Sequence, residues 1–347
     1  MFQSISVYIV FKLIFSLLAF QPDVQSSAGD NIELLYSGLP PWGDSYYTAK
    51  ISCGDIDGYD GEELVITDDY NTFQVLRWDP ITRTFYQKWL NDPVFETSRI
   101  NKIFIIPKSN RDDSRIIFVD SINNLKVFVW LNYLAKEETA IRITNKPTFQ
   151  SWLNFGVGKF SNTRKGWEVV SMASKSIDLP GYSFNFQILR TGHINNGYHP
   201  STTYFLPFVH KQPKLFFIKD FNNRAEGLVI ASYNEGKQPS IKLTYITPDF
   251  NRCTFYTLHT TSREKIGWIG RLYAKSPVFL TALLKNEKTG DKLRLYKLDK
   301  DIKHIRDINI PPNVSSWEFA DIDNDKFREL ILLDFMGYLY VYHLKID

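Results

Sequence analysis

Six short segments of this chain alternate apolar and polar residues with the period-two pattern that is typical of half-buried β-strands. They are FQVLRW, LKVFVWL, FNFQIL, IKLTYI, KLRLYKL and YLYVYHL. Turn-forming Asn, Gly, Asp or Pro residues bound these segments. An apolar strand, a polar loop and a second apolar strand precede each of them. The pattern therefore predicts an all-β protein made of repeated groups of antiparallel strands.

The spacing of three acidic segments gives the length of the repeat. The segments begin at Asp55, Asp220 and Asp321, so the intervals are 165 and 101 residues, or three steps of 55 and two of about 50. Units of four short strands at such a fixed period are typical of β-propellers. We predict six blades that begin near residues 47, 99, 150, 212, 264 and 314. Five or seven blades stay open as alternatives, because the middle units are degenerate.

The N-terminal strand predicts how the ring closes. The last unit ends after its third strand, and residues 31–41 form a strand that has no partners of its own. Pairing of this strand with the last unit completes the final blade. It also removes an unpaired strand edge, which would be an aggregation hazard.

Residues 1–28 have the features of a secretory signal peptide. Lys12 closes a short first region, residues 13–20 are apolar, and VQSSA supplies small residues for cleavage. The apolar run is shorter than the roughly 20 residues that a membrane span needs, and no later segment is long and apolar enough. We therefore expect a secreted protein with no membrane span in the mature chain and a single propeller domain over residues 29–347. The sequon at Asn313 predicts glycosylation there.

The segment DIDNDKFREL places oxygen ligands at alternate positions of a predicted loop. Its candidate ligands are Asp321, Asp323, Asp325, the carbonyl of Phe327 and Glu329. A hard cation such as Ca²⁺ binds six to eight oxygens at about 2.3–2.6 Å. An EF-hand is excluded, because it needs Gly at the sixth position and Glu at the twelfth, where this chain has Lys326 and Leu332.

This arrangement of acids and strands resembles the FG-GAP or VCBS repeats of integrin-α-type β-propellers. The resemblance implies that the loop between the first two strands of a blade holds a structural Ca²⁺, with the five residues above as ligands. The first unit matches less well, because Tyr59 stands at the position of the third acid. Its candidate ligands are Asp55, Asp57, Asp60, Gly61 through its carbonyl, and Glu63.

Two other interpretations of the acidic loops are open. Asp and Asn also favour turns by bonding their own backbone, without a metal. In the fourth unit Arg224 stands at a ligand position, so an internal ion pair is expected to replace the cation there.

The two cysteines, Cys53 and Cys253, belong to an innermost strand of the first unit and the outermost strand of the fourth unit. These units lie across the axis of a six-bladed ring, whereas a disulfide needs Cα atoms within about 7 Å. We therefore predict that the cysteines are not linked.

Composition and motifs narrow the set of functions that the sequence supports. The net charge is only +3 and the basic residues are scattered, so nucleic acid is not an expected partner. The sequence has no Gly-rich phosphate loop, HExxH or GxSxG motif, and we assign no catalytic residue. Aromatic side chains on the rim opposite the acidic loops are candidate binding anchors: Trp42, Tyr46, Tyr47, Tyr70 and Tyr182.

The sequence as a whole favours a calcium-stabilised, non-catalytic module that binds an extracellular protein or carbohydrate. The alternative is a polysaccharide lyase or glycosidase with its acids in the central channel. A scaffold that acts only through protein contacts is a third hypothesis.

Overall fold

The computed structural model describes residues 32–41, 45–59, 61–91, 93–96, 98–108, 113–121, 124–131, 134–142, 154–158, 168–179, 182–194, 198–206, 214–219, 225–234, 240–247, 253–259, 264–285 and 290–346. Between residues 139 and 259 it describes the backbone of the strands but only some of their side chains. No helix in the described ranges has the length and apolar character needed to cross a membrane.

The described ranges form four-stranded antiparallel sheets, and the strands of each sheet are given below in the order in which they are hydrogen-bonded across the sheet or along the chain. The first three sheets are β2 (Ile51–Gly54), β3 (Glu63–Thr67), β4 (Phe73–Asp79) and β5 (Thr84–Asn91); β6 (Ile100–Ile106), β7 (Arg115–Asp120), β8 (Asn124–Leu131) and β9 (Leu134–Arg142); and β10 (Asn154–Gly158), β11 (Glu168–Leu179), β12 (Tyr182–Ile194) and β13 (Tyr198–Leu206). The next two are β14 (Lys214–Lys219), β15 (Ala225–Asn234), β16 (Ser240–Ile246) and β17 (Cys253–His259); and β18 (Glu264–Arg271), β19 (Val278–Leu284), β20 (Lys292–Leu298) and β21 (Ile302–Asn309). The remaining sheet joins β22 (Val314–Ala320), β23 (Glu329–Asp334) and β24 (Leu339–Leu344) to the N-terminal strand β1 (Ile32–Gly38).

The first strands of the sheets lie next to one another around a common axis. Strand β2 contacts β6 and β22, β10 contacts β6 and β14, and β18 contacts β14 and β22. These strands are therefore the innermost strands of a β-propeller arrangement. The prediction of an all-β propeller made of four-stranded antiparallel sheets is confirmed.

The pairing of β1 with β24 closes the ring. The two strands are antiparallel, with Ile32 opposite Leu344 and Gly38 opposite Leu339, and Leu35 forms a bulge between two paired residues. The predicted pairing of the N-terminal strand with the last unit is confirmed. It covers the edge of β24, so that strand presents no open row of hydrogen-bonding groups.

The hydrophobic core lies between neighbouring sheets. One cluster joins Ile51 and Leu64 of the first sheet to Ile331 and Val341 of the last. A hydrogen bond also joins the fifth and last sheets: the indole N–H of Trp317 donates to the hydroxyl of Thr281 at 2.9 Å. The last sheet therefore buries one face against the first sheet and the other against the fifth, which explains why its strand β23 is apolar on consecutive residues.

Cys53 is buried on the innermost strand β2. Cys253 begins the outermost strand β17 of another sheet, and its side chain lies outside the described residues. The absence of a disulfide between them stays a prediction.

Candidate functional site

The loop between β22 and β23 brings three predicted ligands together. Carboxylate oxygens of Asp321, Asp323 and Asp325 lie within 4.8 Å of one another. The backbone makes this turn by placing Asn324 and Lys326 at positive φ, 64° and 72°. These left-handed positions suit a tight turn, and Asn tolerates them well.

Backbone amides hold the carboxylates of this last acidic loop in place. Asp323 accepts a hydrogen bond from the N–H of Asp325 at 3.2 Å, and Asp325 accepts one from the N–H of Phe327 at 2.7 Å. Glu329 at the start of β23 accepts one from the N–H of Ile322 at 3.2 Å. The loop is thus ordered by its own acids, as the turn interpretation of the sequence requires, while other carboxylate oxygens stay available for a cation.

The electrostatics of the last acidic loop are unfavourable without a positive charge. Burial, and after it the charges of Glu62, Asp325 and Asp323, raise the pKa of Asp321 to about 6. Burial and the charge of Asp323 raise the pKa of Glu329 to about 9. Asp321 is only 8% exposed, and its Oδ1 atom is buried with no hydrogen-bond partner among the described residues. An unpartnered buried carboxylate oxygen of this kind is costly to leave uncompensated.

The first acidic loop, between β2 and β3, holds the same kind of cluster but neutralises it internally. Asp55, Asp57 and Glu63 lie within ligand distance of one another. However, Arg77 lies 3.1 Å from Asp57 and 3.5 Å from Glu63, and Lys88 contacts Asp57 and lies 3.4 Å from Glu63. Two basic side chains therefore occupy the position that the sequence assigned to a weaker Ca²⁺ site.

Strand register explains the difference between the two loops. Leu64 pairs with Leu76, and Leu330 pairs with Tyr342, so the residues beside them, Arg77 and His343, occupy equivalent positions on the third strand. His343 lies 3.2 Å from Glu329, fourteen residues after it, just as Arg77 follows Glu63 by fourteen. The last loop therefore has an imidazole where the first has a guanidinium.

The second basic residue of the first loop also has no counterpart in the last. Lys88 lies at a bulge in the outermost strand β5, next to the paired residues Gln87 and Trp89. The equivalent bulge in β1 is Leu35, which packs against the hydrophobic core. Among the described residues, no Lys or Arg forms an ion pair with Asp321, Asp323, Asp325 or Glu329.

The two acidic loops contact each other, because the first and last sheets are neighbours. The N–H of Glu62 donates to the carbonyl of Asp321 at 2.8 Å, and the N–H of Asp321 donates to the Glu62 carboxylate at 3.0 Å. Arg328 lies 3.3 Å from the same carboxylate. Glu62 thus joins the loops, and neither this residue nor Arg328, Arg77, Lys88 or His343 was identified from the sequence. The shared spacing of fourteen residues was the available signal for Arg77 and His343.

Gly61 provides a test of the contact between the loops. Its φ is +89°, and a Cβ atom there would lie 2.7 Å from the carbonyl oxygen of Ile322. We expect Gly61→Ala to lower the free energy of unfolding by about 2 kcal/mol, because it adds backbone strain and pushes the loops apart. Urea unfolding measures this change. Gly290→Ala is the matched control, since Gly290 also has positive φ, +81°, but a Cβ atom there would have no neighbour within 4 Å. Equal losses in the two variants would contradict the role of the contact.

Several predicted residues lie outside the described ranges. Asp60 of the first loop and the fourth-unit acidic segment from Asp220 to Arg224 are among them. So is Trp42, while Tyr182 begins β12 with an undescribed side chain. Phe327 is described and pairs with Tyr273 of the neighbouring sheet through an isolated bridge.

The predicted aromatic rim is only partly exposed. Tyr47 and Tyr70 are 70% and 62% exposed, but Tyr46 is 5% exposed and belongs to the core between the first and last sheets. The prediction of Tyr46 as a binding anchor is therefore corrected: its ring packs under Gly337, where a Cβ atom would lie 2.3 Å from it. Exposed Met336 lies on the same rim.

Asp69 orders the backbone of this rim through hydrogen bonds. Its carboxylate accepts hydrogen bonds from the backbone N–H of Tyr47 at 3.0 Å and of Thr48 at 2.6 Å, and from the hydroxyl of Ser45. Burial alone would raise the pKa of Asp69, but these hydrogen bonds outweigh it and lower the pKa. The Tyr47 ring also lies 6.0 Å from the ring of Phe335 in the last sheet. Tyr47, Tyr70, Phe335 and Met336 form what we call the aromatic rim.

An apolar crevice lies between the fourth and fifth sheets in chain order. It is lined by Ile218, Val229, Leu243, Tyr245, Tyr256, Val278 and Leu298. None of these described lining residues is a carboxylate, so they do not provide the paired acids that glycoside cleavage requires.

The sequon residue Asn313 is exposed in the turn before β22, with a φ of +67°. Its backbone N–H donates to the carboxylate of Asp291, and its carbonyl accepts a hydrogen bond from the N–H of Phe335. The residue therefore lies on the side of the aromatic rim. Glycosylation there stays a prediction.

No model of a known protein family and no curated protein sequence matches this chain.

Proposed function

We propose that this chain is a secreted, calcium-stabilised β-propeller of six blades that recognises a protein or glycan partner without catalysis. Among the described residues, six sheets of four strands support the blade count, since each of them contributes one innermost strand to the ring. The kinship that we propose with FG-GAP or VCBS repeats rests on the order of acids and strands in the last unit.

The observation that carries the calcium proposal is the contrast between the two acidic loops. The first loop has internal cations in Arg77 and Lys88, whereas the last has a buried oxygen on Asp321 that no described residue hydrogen-bonds. We place a structural Ca²⁺ at the last loop, held by Asp321, Asp323, Asp325, Glu329 and the Phe327 carbonyl. Its role is to neutralise packed carboxylates, which is the use of Ca²⁺ that an oxygen-rich loop favours.

The aromatic rim supports the binding function. Exposed aromatic side chains beside polar groups suit recognition, because they combine a large apolar surface with hydrogen-bonding ability. The rim lies at the opposite ends of the innermost strands from the acidic loops, so a partner can bind there without contacting the proposed Ca²⁺.

A glycan array tests this function directly. We expect the mature protein to bind a subset of glycans, and the double variant Tyr47→Ala/Tyr70→Ala to lose that binding. Tyr86→Ala is the matched control, since Tyr86 is an exposed tyrosine on the outermost strand β5. Equal binding by the double variant would contradict the assignment of the rim. Release of reducing or unsaturated ends from the bound polysaccharides would instead support the enzymatic alternative.

A further inference from the structure

Four lysines lie at the beginning of innermost strands in four different sheets. Lys50 directly precedes β2, Lys102 lies in β6, Lys214 begins β14 and Lys265 is the second residue of β18. The first acidic loop follows the other end of β2, and the last acidic loop follows the corresponding end of β22. The four lysines, which we call the axial lysine cluster, therefore lie at the end of the central channel that is on the same side of the propeller as the aromatic rim.

The charges of the cluster act on one another across the channel. Burial and the charge of Lys214 lower the pKa of Lys102 to about 8. Burial and the charge of Lys265 lower the pKa of Lys214 to about 8. Lys50 is linked in the same way, because burial and the charge of Lys265 lower its pKa.

Two of these couplings join sheets that are not neighbours. Strand β2, which follows Lys50, contacts β6 and β22, whereas Lys265 lies on β18. Lys102 on β6 and Lys214 on β14 are likewise separated by β10. Interactions between such pairs pass over the channel, so the ammonium groups converge on its mouth.

The protein holds these ammonium groups in place with backbone carbonyls. The Lys214 ammonium donates to the carbonyl of Ile266, on the innermost strand of the adjacent sheet, at 3.1 Å. The Lys50 ammonium donates to the carbonyl of Thr48 at 2.7 Å. Nearby Asp69 partly offsets the charge of Lys50, but its carboxylate is engaged by the connecting segment at Tyr47 and Thr48. Several like charges at one end of a channel favour the binding of an anion.

We propose that the axial lysine cluster is a binding site for a multiply charged oxyanion, either free sulfate or phosphate or the sulfate and carboxylate groups of an acidic saccharide. Each ammonium group supplies three donors that rotate freely, so several lysines can surround an oxyanion whose orientation is not fixed in advance. This proposal rests on the proposed function and deepens it, because it specifies the chemistry of a ligand at the face where we expect the partner to bind. Its test uses simple anions and does not require the partner to be known.

Calorimetric titration tests the site, with inorganic sulfate and a sulfated oligosaccharide as probes and an unsulfated oligosaccharide of the same length as the neutral control. We expect both anionic probes to bind and the double variant Lys102→Met/Lys214→Met to weaken binding by roughly tenfold or more per lysine removed. Lys300→Met is the matched control, because Lys300 is exposed in the turn between β20 and β21. The double variant is expected to unfold at the same or a higher temperature than the wild type, since it removes buried like charges.

The outcomes separate the anion site from the proposed partner function. Tighter binding of the sulfated oligosaccharide than of sulfate supports an acidic saccharide, and equal binding supports a free anion. Binding that the double variant retains, or that the neutral control matches, would overturn the anion site. The recognition function fails separately, if sulfate binds at the lysines but the Tyr47→Ala/Tyr70→Ala variant binds every partner as the wild type does.

Discussion

Removal of Ca²⁺ by a chelator at neutral pH is expected to lower the unfolding temperature of this protein, and Asp321→Asn is expected to abolish that dependence. Ca²⁺ at a hundredfold excess over its Kd stabilises a folded protein by about 2.7 kcal/mol. For a chain of this size, such a change corresponds to roughly 5 °C. Differential scanning fluorimetry with Ca²⁺ and with chelator measures the shift.

The same variant is expected to have the opposite effect in chelator. Because the pKa of Asp321 is raised from 3.8 to about 6, the folded state binds a proton more tightly than the unfolded state. Stability therefore falls as the pH rises from about 4 to about 6, and the full penalty applies at pH 7. Asparagine has no charge, so Asp321→Asn should stabilise the metal-free protein by about 2 kcal/mol.

Asp57→Asn is the control in the other acidic cluster, where Asp57 occupies the position that corresponds to Asp323 of the last loop. Asp57 is ion-paired with Arg77 and Lys88, so its neutralisation removes one of the two carboxylates that compensate these basic side chains and leaves only Glu63 beside them. We expect this variant to lose about 2 kcal/mol of stability both with and without Ca²⁺. If Asp321→Asn behaves like Asp57→Asn, or if the Ca²⁺-dependent shift survives it, the calcium site at the last loop is wrong.

Tyr36→Ala is expected to cost about 2 to 3 kcal/mol of unfolding free energy, because it weakens the seam at which the ring closes. Tyr36 is a residue of β1 whose ring makes edge contacts with the rings of Trp78 at 6.0 Å and Phe85 at 5.6 Å. It therefore links the N-terminal strand of the last sheet to the first sheet. Urea unfolding followed by tryptophan fluorescence measures the loss.

Leu34→Ala is the control for this seam. Leu34 lies on the same strand and pairs with Tyr342, but its side chain is 40% exposed. We expect Leu34→Ala to change the stability by less than about 0.5 kcal/mol. Similar losses in both variants would mean that β1 contributes through its backbone pairing alone.

The strands were predictable because they depend on the local alternation of apolar and polar residues. The ring closure was predictable because it depends on the number of strands in each repeat. The last unit lacks an outer strand, and residues 31–41 supply one, so the pairing of β1 with β24 follows from the sequence. The position of the last acidic loop also followed from its spacing. These features need no knowledge of which side chains meet across the ring.

The neutralisation of the first acidic loop was not predictable from the loop itself. Arg77 lies on the third strand and Lys88 at a bulge of the fourth, so their contact with Asp57 depends on strand register and on an extra residue. The burial of Tyr46 beside exposed Tyr47 was not predictable either, because it also depends on how the chain packs in three dimensions. Neighbouring residues in a connecting segment point in different directions, and composition does not decide which one enters the core.

The pairing of Ile32 with Leu344 has a consequence for biosynthesis. During translation the first of these residues emerges long before its partner, and domains of this size fold through partly structured states. The final blade can be completed only after the ribosome has made the last strand, and non-local pairing of this kind slows folding. Nascent chains that stop short of β24 therefore carry an unpaired N-terminal strand, which makes them candidates for capture by chaperones or by the strand edges of other unfinished copies.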